Sequence, residues 1–230
     1  MKYSEPKLRE IYIKQMTEVV TRLNSALSYI RKYSEDDSEA DFDSGVLQFR
    51  KALEAVAYAS IAPNKEKYQA FRAMAHGNKD FTKDFNATKI FYSLSRINEN
   101  FYPLPINPAT MVGEDKMHFE RKGSGFLTEK GFQTIYDRLG KFLHANNPWG
   151  TNKNVQNLAR DINVAIRELR SLLELHVAFI RTKSFTGAWV VEVPESGGKP
   201  KIILGEASGE FCVAAVNKQR QVGTASPPLL

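Results

Sequence analysis

The chain has 230 residues, 42% hydrophobic and 25% charged, with a formal net charge of +6. These are the proportions of an ordinary globular protein with room for a sizeable core and a small appendage. No run of about 18 apolar residues predicts a membrane span, and residues 1–6 lack the apolar core of a signal peptide, so a cytoplasmic protein is expected.

The single Cys212 excludes an internal disulfide and a cysteine-based zinc cluster. Histidines at 76, 118, 144 and 176 have no metal-ligand spacing, so neither a metal nor a cofactor is expected. The positive balance tilts the expected partner towards a polyanion.

The first 180 or so residues read as helical. Pro6, after Ser4 and Glu5, suits a helix start, and Leu8, Ile11, Met16, Val19, Leu23, Leu27 and Ile30 recur at helical spacing to about residue 32. An acidic linker at 34–39 follows. A second helix carries Val46, Phe49, Leu53, Ala57 and Ile61 and ends near Pro63-Asn64. A shorter one covers Tyr68, Phe71 and Met74 and stops at His76-Gly77-Asn78, and another spans 88–97.

Residues 98–128 show no strong period and hold Tyr102-Pro103-Leu104-Pro105, Asn107-Pro108 and Gly123-Ser124-Gly125. A connection that long is either a surface excursion with a short strand pair of its own or a lid over a substrate. The spacing then predicts a helix over 129–144, a turn through Asn147-Pro148-Trp149-Gly150, and a long helix over 153–182. The long helix has a clean stripe of Leu158, Ile162, Ile166, Leu169, Leu173, Val177 and Ile180. After Ser184 the pattern alternates. Residues 189–194 and 201–205 read as a β-hairpin around Glu195–Lys199, with a third strand expected at 211–215.

The expected fold is therefore mainly α, a bundle of about six helices with a small C-terminal β-hairpin. It divides into a helical domain over 1–183, a hairpin appendage over 184–216 and a disordered tail over 217–230.

The chemistry concentrates in Tyr136-Asp137-Arg138-Leu139-Gly140-Lys141-Phe142-Leu143-His144. Arg138 offers a fixed cation for a phosphate, and His144 a base whose ordinary range lies near neutral pH. Six positions on one straight helix put the two side chains about 120° apart, so a bend or a second subunit must bring them together. Gly140, between them, marks a kink or a close approach.

Arg50 falls within the Val46-Leu53-Ala57 stripe, where a charge needs a partner, and Glu54 one turn on supplies one. Arg50 is either half of a semi-buried ion pair or a member of the same cleft as Arg138. His176 reads as a satisfied core or interface histidine. Arg160 and Arg167, interspersed with Asp161, Glu168 and Glu174, read as a solvated mixed face. Trp149 is either a turn anchor or a platform for a base.

Arg138-x5-His144, on a helix of a small all-α bundle, resembles the HEPN superfamily (higher eukaryotes and prokaryotes nucleotide-binding domains). The segment Phe49-Arg50-Lys51-Ala52-Leu53-Glu54 is similar to the corresponding helix of several prokaryotic members. The likeness covers about residues 40–180, with Leu139 standing where many members have Asn or Asp after the arginine. It implies metal-independent RNA cleavage in a homodimer. His144 would move the proton and Arg138 would hold the scissile phosphate, with Arg50, Lys141, Asn146 and Trp149 as substrate contacts. The implied setting is a prokaryotic defence, abortive-infection or toxin–antitoxin system. The alternative is a noncatalytic interaction or dimerisation module whose hairpin recruits a cognate protein by edge pairing.

Overall fold

The computed structural model describes residues 4–77, 79–113, 116–145, 149, 154–181, 186–195 and 198–206. Within them lie six α-helices: α1 (Glu5–Asp36), α2 (Glu39–Ile61), α3 (Lys65–Ala73), α4 (Ala87–Ser95), α5 (Glu129–Phe142) and α6 (Val155–Leu173). The fold is mainly α, as the periodicity predicts.

Helices α1 and α2 form the frame. Helix α1 runs on through the first acidic residues of the expected linker and ends at Asp37, whose backbone is left-handed (φ 53°) and whose amide bonds Tyr33 O. Asp tolerates that conformation better than a branched residue would. Ser38 then caps α2 by accepting from the Asp41 amide. Only two residues separate the helices, so they fold back as an antiparallel pair. They approach closely at Gly45, where an added Cβ would sit 2.8 Å from Ile30 Cδ1.

The core these helices enclose includes Met16, Val19, Leu23, Phe42, Phe49 and Leu53, and it extends to Phe91, Phe132, Leu139, Ile162 and Leu169. Between α3 and α4 the chain is clamped at Asp84. Arg72 donates to both of its oxygens (2.9 and 2.8 Å), and Tyr68 donates a third bond of 2.8 Å.

The expected helix over 153–182 is corrected. Helix α6 stops at Leu173, and the next residues form strand β4 (Leu175–Arg181). It pairs with β1 (Leu104–Pro105) and β5 (Thr186–Glu192), and β5 pairs in turn with β6 (Lys201–Glu206), in the antiparallel order β1-β4-β5-β6. The hairpin thus exists, and β4 is the strand beside it. The strand expected at 211–215 and the tail lie outside the described residues.

Strand β4 misleads because it is apolar on both faces. Ala178 and Ile180 face the helical core, while Val177 and Phe179 face a second small core with Ile106 and Ala188. A short run apolar on both sides cannot be told from a buried helix by period alone.

The segment 98–128 contains strand β1 and a strand pair of its own, β2 (Thr110–Gly113) with β3 (Lys116–His118). An Ile106–Arg121 bridge closes the segment on itself, and the Ile106 amide on Leu175 O ties it to the sheet. It is tied to α6 by Lys122 Nζ on Ser171 O and by the Leu127 amide on Glu168 O. No described helix is long and apolar enough to cross a membrane.

Candidate functional site at the end of α5

Helix α5 starts where Thr128 accepts from the Gly131 amide at 3.1 Å, and it buries Phe132, Ile135, Tyr136 and Leu139. The other side chains are divided between two neighbouring helices, and that division decides what the motif can do.

Towards α2, Arg50 lies over the Tyr136 ring, with its guanidinium carbon 4.0 Å from the centroid. It donates to Tyr136 O (3.0 Å) and to the Tyr136 hydroxyl (2.8 Å), while its Nε lies 3.4 Å from Glu54 Oε1. Tyr136 in turn donates to the same Glu54 carboxylate at 2.9 Å. Burial and the adjacent carboxylate push the Tyr136 phenol up to about 12, so it stays a donor at neutral pH. Gly140 makes room for this arrangement, since a Cβ there would fall on the Arg50 guanidinium. Close approach, rather than a kink, is what Gly140 provides.

Towards α6, Arg138 forms an ion pair with Asp161, both side chains half-buried. Asp161 is one of the acids that the sequence assigns to a solvated mixed face. From the sequence, nothing in its position on α6 singled it out as the partner of an arginine 23 residues earlier.

Lys141 lies on the exposed side of α5, and His144 is exposed two residues past the helix end. At about 100° per residue, Asp137 and Lys141 fall on one face of α5, with Arg138 about 100° from Asp137 and about 60° from Lys141, while His144 lies past the helix end. Thr88 of α4 donates to Asp137 at 3.3 Å, which sets this face beside the exposed face of α4. Trp149 is 93% exposed. Asn146 lies outside the described residues. The structure therefore leaves Lys141 and His144 exposed at the C-terminal end of α5, turns Arg138 to α6, and places Arg50 on the α2 side of α5.

His176 has a different role. It is fully buried on β4, with Nδ1 2.8 Å from Leu173 O and Nε2 2.7 Å from the Tyr12 hydroxyl. A carbonyl only accepts, so Nδ1 carries the hydrogen and Nε2 accepts from Tyr12. Burial lowers its pKa to about 4, so the ring is neutral.

Among the described residues, no group of three or more His, Cys, Asp or Glu side chains is placed to hold a metal ion. No protein-family model, curated protein or solved structure matches the chain.

Proposed function

We propose that this chain binds RNA as a HEPN-like helical protein, using the exposed end of α5. The observation that supports this reading is the exposure of Lys141 and His144 at the end of α5 while Arg138 is paired with Asp161 of α6. An exposed cation and an exposed imidazole can meet a phosphate and a base without any rearrangement of the core. Within one chain the Arg138–Asp161 pair argues for binding over cleavage, because the phosphate-holding cation is already neutralised. Cleavage would need a homodimer that joins Arg138 of one protomer to His144 of its partner. The resemblance extends the proposal to a prokaryotic defence or toxin–antitoxin setting.

The test is RNA incubated with the protein in EDTA, alongside a binding titration. The expected result is intact RNA, with salt-dependent binding that Lys141→Gln weakens. Product ends bearing 2′,3′-cyclic phosphate, lost in both Arg138→Ala and His144→Ala, would replace it with the composite nuclease. A protein-interaction module is the second reading. It is favoured by Ile203 and Leu204, which are exposed on β6 at the end of the strand order. An absence of RNA binding at every salt concentration would select it.

A further inference from the structure

Helix α4 carries a surface that the α5 motif does not account for. Phe85 is 73% exposed and Tyr92 is 66% exposed. Phe85 directly precedes Asn86, the N-cap of α4, and a hydrophobic residue there ordinarily packs back on the fourth helical residue. Here that residue, Ile90, is buried and Phe85 is not.

The exposure is built in. On one side of Phe85, Asp84 is fixed by Arg72 and Tyr68. On the other, Asn86 accepts from the Lys89 amide at 3.0 Å and starts the helix. Two anchored neighbours hold the ring out.

Lys89, Tyr92 and Arg96 then follow at spacings of three and four, which places them on one side of α4, all exposed. Neither Lys89 nor Arg96 has an ion-pair partner among the described residues. Aromatic and cationic side chains therefore alternate along the stripe as Phe85, Lys89, Tyr92 and Arg96. Of the nearby carboxylates, Asp84 is taken up by Arg72, Asp137 keeps its charge while accepting from Thr88, and Glu99 lies beyond the helix end; none is ion-paired with Lys89 or Arg96 among the described residues.

We infer that this α4 stripe is a docking surface for single-stranded RNA, with bases stacked on Phe85 and Tyr92 and phosphates on Lys89 and Arg96. The inference rests on the RNA-binding reading above and gives it a second contact surface. Charge complementarity argues for this occupant, because unpaired cations favour a polyanion. The interleaved aromatics argue for a single strand, since only unpaired bases can lie flat on a ring. The Thr88–Asp137 bond sets the stripe beside the Lys141 face, so one strand can follow both.

The experiment is a salt titration of binding by the full chain, using a labelled single-stranded RNA and a duplex of the same length. Phe85→Ala and Tyr92→Ala should each weaken single-strand binding roughly tenfold and leave the salt slope unchanged. Lys89→Gln and Arg96→Gln should each reduce the slope of log K against log salt by roughly 0.7. Tyr92→Phe should bind as wild type, because it keeps the ring. All five substitutions fall on four exposed side chains, so the helix signal in circular dichroism should be unaltered.

If the aromatic variants bind as wild type while Lys141→Gln is weakened, the stripe is wrong and the α5 reading stands. If wild type prefers the duplex, stacking on α4 is overturned. If wild type binds neither RNA, both proposals fall together.

Discussion

Gly140 and Arg50 are the pair in which substitution effects should depend most sharply on context. In an open helix, Gly→Ala gains roughly 1 kcal/mol. Here the new methyl would meet the Arg50 guanidinium, which is held by the Tyr136 ring, carbonyl and hydroxyl. Gly140→Ala is therefore expected to destabilise by about 1–2 kcal/mol, and the sign should reverse in an Arg50→Ala background. Urea unfolding of the four-protein cycle checks this, and additive effects would refute the contact. Half of this arrangement was legible in the sequence. Glu54 is one turn from Arg50 and follows from helix geometry, but Tyr136 lies 86 residues away and leaves no local trace. The same holds for Arg138, whose counter-ion Asp161 belongs to another helix.

Among the elements, those with a polar side were the ones the sequence announced. The six helices show a 3.6-residue stripe because water covers their other face, and the β5–β6 hairpin alternates next to a Gly-containing turn. Strand β4 has no polar side, and Glu174 keeps helical angles at the end of α6, so no glycine or proline marks the change. Helix α4, with nine residues, is short enough that its cap matters. Asn86→Ala should remove about 1 kcal/mol from its local stability and speed amide exchange in its first turns roughly fivefold. Unchanged exchange at Ile90 and Phe91 would show that tertiary packing alone holds the helix.

Across the whole molecule, sheet and bundle share one core, in which Trp189, Val191 and Val193 touch side chains from the helices. The Tyr12–His176 bond joins α1 to β4 inside it. Protonating His176 would set a second N–H against the Tyr12 hydroxyl and place a charge in that core. Its pKa falls from the ordinary 6.5 to about 4 on folding, so the unfolded chain binds the proton more readily. The neutral ring's contribution is thus complete above about pH 6.5 and is lost as pH falls towards 4, up to roughly 3 kcal/mol. Denaturant midpoints of wild type and His176→Gln should therefore converge between neutral pH and pH 4.5. Parallel curves would mean that the histidine does not titrate there.

The two tryptophans stand at opposite extremes. Trp189 is sealed, edge-on to Tyr12 with centroids 5.5 Å apart, whereas Trp149 lies out beyond the end of α5. The chain consequently carries two optical reporters that one solute can separate. A water-borne collisional quencher reaches the outer indole and spares the inner one. The quenchable part of the emission then follows events at the surface, and the residual part follows the integrity of the interior, both in a single unlabelled sample.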